Sequence, residues 1–128
     1  MCNQKKKTTM SPLNKTWILD LDGTIVKHNG YKIDGKDSFL EGAQDFLLSI
    51  PEGDMIVFLT SRTTEYAQLT EDFLHEAGIY YNHIIYNAPY GERILMNDDK
   101  MSGLPMAYAF RTARDQFPAV EIEIDRSL

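Results

Sequence analysis
"WILDLDGTIV", Trp17 to Val26, is the stretch that decides how this chain is read. Four apolar residues and two carboxylates run into a Gly-Thr break. Side chains of a strand alternate between its faces, so Asp20 and Asp22 point the same way. Like charges held that close repel unless a cation sits with them. The stretch therefore reads as a short buried strand that delivers two acids to its carboxyl end. Ile18, Leu19 and Leu21 suit the interior of a parallel sheet.

Outward from this strand, the elements alternate. Val26 to Lys36 is polar, holds Gly30 and Gly35, and reads as a loop or small hairpin flap. Phe39, Leu40, Ala43, Phe46, Leu47 and Ile50 fall at helical spacing. Ser38 with Glu41 forms a capping box before them, and Pro51 a stop after them. "MIVFLT", Met55 to Thr60, is a second buried strand. A helix from about Thr64 carries Tyr66, Leu69, Phe73 and Ala77, and ends at Gly78. "HIIY", His83 to Tyr86, is a third strand, and "RILMN", Arg93 to Asn97, a fourth. A helix from Pro105 presents Ala107, Phe110, Ala113 and Phe117 and closes at Pro118. "VEIEID", Val120 to Asp125, alternates like an edge strand with one wet, acidic face.

This order predicts an α/β fold with a mostly parallel sheet. Ligands of such sheets sit outside the carboxyl ends of the strands. Just past those ends lie Asp20, Asp22 and Thr24, then Thr60, Ser61 and Arg62, then Asn97, Asp98, Asp99 and Lys100. Asp20, Asp22 and Asp98 suit a hard divalent cation, and Mg²⁺ fits because it takes few protein carboxylates and keeps places for water and phosphate. Thr60 and Ser61 offer donors for a phosphate oxygen. Lys100 is a mobile point charge that could screen a phosphate from a carboxylate nucleophile. The set reads as phosphoryl transfer. The plainer alternatives are a turn at Asp22-Gly23, a surface turn at Asp98-Asp99, and a helix cap with a solvated arginine at Thr60 to Arg62.

D-L-D-G-T, Asp20 to Thr24, resembles the first motif of the haloacid dehalogenase (HAD) superfamily, whose phosphatase members carry D-x-D-G-T. "VFLTSR", with Thr60 closing the strand, resembles its second motif, and "ILMNDD", Ile94 to Asp99, its acidic fourth. Order and strand context match over nearly the whole chain past residue 13. "PYGERILMNDDKMSGL" further resembles a subgroup of small HAD proteins, several of them linked to polysaccharide or sugar-phosphate metabolism. The resemblance implies a three-layer α/β/α Rossmann-like domain over 14–128, after a flexible tail over 1–13. It implies Asp20 as the nucleophile that forms an aspartyl-phosphate and binds Mg²⁺. Asp22 would be the acid, then the base, with its backbone carbonyl on the metal. Thr60 would hold a phosphate oxygen, and Asp98 would be the further metal carboxylate. Asp99 would act through water or from behind the ligands.

The superfamily usually places a lysine or arginine between its second and fourth motifs, and between Arg62 and Arg93 this chain has neither. Lys100 reaching back, Arg93, or a vacant role are the options; Arg93 starts its strand at the wrong end, so Lys100 takes the assignment. Thr24 to Asp37 has room for a flap and not for a cap domain, which leaves an open site. His28 and Tyr31 on that flap would face a leaving group.

The bulk numbers agree with this reading. The chain has 128 residues, 43% hydrophobic and 25% charged, which suits one ordinary globular domain. A net charge of −6 disfavours broad nucleic-acid binding and anionic membranes. Cys2, the single cysteine, excludes an internal disulfide and points to a reducing, cytoplasmic compartment. No apolar run would span a bilayer, and no apolar stretch follows the "KKK" as in a signal peptide. His28, His75 and His83 lack zinc spacing. The leading expectation is a Mg²⁺-dependent phosphatase acting on a small phosphate ester such as a sugar phosphate. The alternatives are a phosphatase for phosphoproteins or nucleic-acid ends, and a non-catalytic HAD-like binding subunit. An oligomer is compatible with all of them.

Overall fold
The computed structural model describes residues 6–118 and 120–128. Cys2 lies outside them, and with it the cysteine argument. The fold is mixed α/β, with parallel strands in two sheets. The chain forms two compact units.

The main unit runs from Asn14 to Tyr90 and adds Thr112–Phe117. Its sheet has the order β2-β3-β4, from β2 (Thr16–Leu19), β3 (Met55–Leu59) and β4 (His83–Ile85). β2 and β3 are parallel neighbours with Leu19 opposite Phe58, and β3 pairs with β4 with Leu59 opposite Ile85. Ile56 and Phe58 on β3 alternate into a core shared with Leu21, Ile25, Leu47 and Leu74. Ile18 does not join them: β2 is an edge strand, and its period of two turns Trp17 and Leu19 inward while Ile18 stays about half exposed.

The flap exists and has a firmer stem than a loop. Lys27 N–H donates to the Ser38 carbonyl and Leu40 N–H to the Ile25 carbonyl, with an antiparallel bridge between Val26 and Phe39. At its tip is a single helical turn, α1 (Gly30–Ile33). That stem overturns the capping box. Ser38 belongs to the hairpin, so α2 (Ala43–Ser49) starts later, behind Gly42 at φ 85°, with no side-chain cap. The next helix is close to expectation. A 3₁₀ turn over Thr64–Tyr66 leads into α3 (Ala67–Glu76), and Gly78 follows at φ 74°. Its buried face is set by Thr70 and Leu74, with Leu69 partly exposed.

The second unit holds 6–13, Gly91–Arg111 and Pro118–Leu128. Lys6–Met10, expected in a polar tail, forms β1 and pairs in parallel with β5 (Val120–Ile124). Opposite charges help the register: Lys7 Nζ lies 2.9 Å from Glu123. β5 therefore edges this two-stranded sheet and not the one that carries Asp20.

Two expected elements do not form. Among the described residues, no helix or strand occurs between β4 and β5. Ile94–Asn97 pairs with no strand among the described residues, and Ile94 and Met96 stand 79% and 89% exposed. The apolar row from Ala107 to Phe117 finds no surface to bury against over most of its length, and helical spacing without packing does not hold a helix. Phe110 stacks on Tyr108 at 6.2 Å in the second unit, while Phe117 packs on Phe46 in the main unit. No helix among the described residues is long and apolar enough to cross a membrane.

Candidate functional site
The site begins where β2 ends. After Leu19 the chain folds tightly, with the N–H groups of Thr24, Ile25 and Val26 all directed at the Leu21 carbonyl. Burial of Leu21, Ile25 and Val26 anchors this turn from below. Gly23 makes it possible: its φ is 82°, and a Cβ there would lie 3.1 Å from Arg114. Asp20 is half-buried and accepts a 3.0 Å hydrogen bond from the Thr24 hydroxyl.

β3 is parallel to β2 and beside it, so its carboxyl end opens onto the same edge of the sheet. Thr60 follows that end and is 1% exposed. Its N–H donates to Ile85, its carbonyl accepts from Ala88, and its hydroxyl accepts from the Arg62 N–H at 3.1 Å. Ser61 is half-buried, and its hydroxyl donates to the Pro89 carbonyl at 3.4 Å.

Arg62 is not a solvated arginine. It is 3% exposed and makes two ion pairs. Nε donates to Asp22 Oδ2 and Nη2 to Asp22 Oδ1, both at 3.0 Å. Nη1 and Nη2 also reach Asp37, at 2.9 and 2.7 Å, and Nη1 reaches the Thr70 hydroxyl at 2.9 Å. Its face lies 4.0 Å from the centre of the Tyr31 ring. Burial disfavours the charged guanidinium, but the bonds to Asp37 and Asp22 outweigh it and hold Arg62 above its ordinary value. So the cation that the carboxylates of the opening stretch call for is supplied, at Asp22, by the chain itself.

Tyr31 is likewise displaced from its expected role. It is buried, edge-on to Tyr66 at 4.8 Å and stacked on Arg62, and does not stand ready for a leaving group. His28 donates its backbone N–H to Asp115 at 2.7 Å, and its buried Nδ1 has no hydrogen-bond partner among the described residues. Asp115, at φ 65°, also donates its N–H to the Gly23 carbonyl.

Asp98, Asp99 and Lys100 belong to the second unit, and with no strand before them they do not sit at a strand end. Asp98 and Asp99 are exposed. Lys100 opens a turn in which Gly103 N–H donates to its carbonyl at 2.8 Å. Among the described residues no three of His, Cys, Asp and Glu gather into a group that could hold a metal ion. Asp20 is the acid that stands beside the Gly23 turn in the main unit, and a carboxylate is the donor type that suits Mg²⁺, which needs only one or two protein carboxylates.

Sequence reasoning missed Asp37, Thr70 and Asp115, and gave Tyr31 another role. An arginine two residues after a buried strand, with spare aspartates in the preceding flap, was the available signal for the first of these.

No protein-family model matches the chain, and no curated protein does. Among solved structures, the chain is similar to a chain of the Pnkp1/Rnl/Hen1 complex, with 25% identity and a TM-score of 0.50. The similarity covers 66% of this chain and 32% of that one, about a third of its length.

Proposed function
We propose that this protein is a phosphomonoester hydrolase of the HAD type, with Asp20 as nucleophile. The reading rests on one observation above the others. β2 and β3 run parallel side by side, and a D-x-D-G-T turn leaves the first where a threonine leaves the second. The likeness to a chain of the Pnkp1/Rnl/Hen1 complex supports it at the level of fold.

In this reading an Asp20 oxygen attacks phosphorus and the ester oxygen departs with a proton from Asp22. Asp22 then takes a proton from water as that water attacks the aspartyl-phosphate. The P–O bond to Asp20 breaks, inorganic phosphate leaves and Asp20 is restored. Arg62 occupies one lone pair on each Asp22 oxygen, and a second on each remains for this proton. Thr24 orients Asp20, and the hydroxyls of Thr60 and of Ser61, once turned from the Pro89 carbonyl, would serve the phosphate oxygens. The Asp20 carboxylate and the Asp22 backbone carbonyl would hold Mg²⁺. The metal would offset the negative charge of the phosphate. A small phosphate ester such as a sugar phosphate is the proposed substrate, in a cytoplasmic setting.

A second reading, a non-catalytic HAD-like binding subunit, has one observation in its favour: the segment with Asp98 and Lys100 lacks the strand that would present them. Phosphate release from an aryl phosphate separates the two. Turnover that needs Mg²⁺, stops with a chelator and is absent in folded Asp20→Asn establishes the phosphatase. A folded wild type that neither turns over aryl phosphates, sugar phosphates, phosphopeptides or phosphorylated oligonucleotides nor binds fluoroberyllate overturns it in favour of the binding subunit.

A further inference from the structure
The Arg62 guanidinium has five N–H bonds, and the hydrogen bonds around it use all five. One goes from Nε to Asp22. Two go from Nη1 to Asp37 and Thr70, and two from Nη2 to Asp22 and Asp37. Asp22 therefore meets the side of the fork and Asp37 its end, with Nη2 shared. One flat face is covered by Tyr31. Thr70 is itself fixed, since its hydroxyl donates to the Tyr66 carbonyl at 2.8 Å. Tyr31 lies within α1 at the tip of the flap and Asp37 follows that turn, and both are buried.

We propose that Asp37 and Tyr31 are positioning residues for this site: they hold the Arg62 guanidinium, and Arg62 holds the Asp22 carboxylate in one orientation. The flap thus acts on the chemistry from behind, through a buried arginine, without touching the substrate. A lysine cannot replace Arg62, because a point charge offers no two-sided fork. The orientation of Asp22 stands independently of the reaction; its kinetic consequence rests on the phosphatase reading above.

Two folded variants test this, Asp37→Asn and Tyr31→Ala, with Tyr31→Phe as the conservative control. The amide of Asp37→Asn presents N–H groups to a guanidinium that already offers only donors. Tyr31→Ala removes the stack and leaves every hydrogen bond to Arg62, and keeps the question open to measurement if Asp37→Asn does not fold. The first readout is the side-chain carboxyl ¹³C resonance of Asp22, assigned with Asp22→Asn. It is expected to be single and narrow in the wild type and in Tyr31→Phe, and shifted or broadened in the two disruptive variants. The second is phosphate release, where each disruptive variant is expected to lower kcat about tenfold or more with KM within about twofold. An Asp22 resonance unchanged in a folded disruptive variant overturns the proposal. So does an unchanged kcat in an active enzyme. A wild type without phosphatase activity sinks the phosphatase reading alone, and the Asp22 resonance then decides this one.

Discussion

Arg62 and Asp37 form a two-bond fork inside the main unit, at 2.9 and 2.7 Å, with both side chains 1% exposed. A pair this deep is sensitive to the loss of either partner, because the survivor is left charged and out of water. Arg62→Met is expected to destabilise the fold by about 3–5 kcal/mol. The double change Arg62→Met with Asp37→Leu is expected to recover part of that, since it removes the stranded carboxylate as well. Urea unfolding of the two variants beside the wild type measures both. A double variant no more stable than the single one counts against the argument.

Gly23 turns the chain directly after the two site aspartates at φ 82°, with Arg114 close to the place of a Cβ. Gly23→Ala is expected to cost about 1–3 kcal/mol from the left-handed backbone alone. The strained turn should also lower turnover, because it carries Asp20 and Asp22. Gly35→Ala serves as the comparison: its φ is 76°, but nothing lies within 4 Å of an added Cβ, so it shares the backbone strain without the crowding. Thermal unfolding should rank Gly23→Ala below Gly35→Ala.

Asp54 ties the entry of β2 to the entry of β3. It is buried, and its two oxygens accept from Lys15 N–H and from the Trp17 indole N–H, both at 3.0 Å. Asp54→Ala leaves both donors to find water and is expected to cost about 1–3 kcal/mol. Trp17 is the only tryptophan, so the same variant should shift the protein's tryptophan emission to longer wavelength as water reaches the indole. Unchanged emission would mean that the indole is held by packing on Phe46 instead.

Tyr86 predicts how stability falls in alkali. Burial, and then its hydrogen bond to Glu71 at 2.9 Å, raise its phenol above the ordinary value of 10.0. Below that value folded and unfolded chains both hold the proton, and the contribution is fully present. Above it the unfolded chain releases the proton first, so stability is lost as pH rises toward the folded value. Urea midpoints should therefore fall from pH 9 to pH 11, and fall less steeply in Tyr86→Phe. Tyr31 and Tyr81, also raised by burial, leave a remaining slope.

The sequence by itself determined the α/β class, the three strands of the main sheet and the helix that ends at Gly78. Each is written in local signals: short β-branched runs, a helical apolar row, a glycine where φ must be positive. It also placed Asp20, Asp22 and Thr60 just past the ends of strands, because where a strand stops follows from its pattern. Tertiary structure decided what those residues meet. "RILMN" has a strand's composition, yet a strand is held by hydrogen bonds to a neighbour, and no local signal says whether one arrives. Lys6–Met10 is the converse, a polar segment made a strand by its partner. Arg62 is the sharpest case. Beside Thr60 and Ser61 it reads as a surface charge, since an isolated arginine belongs in water. Two aspartates 40 and 25 residues away in the chain, with a tyrosine ring across its face, make its burial favourable, and only the folded chain brings them together.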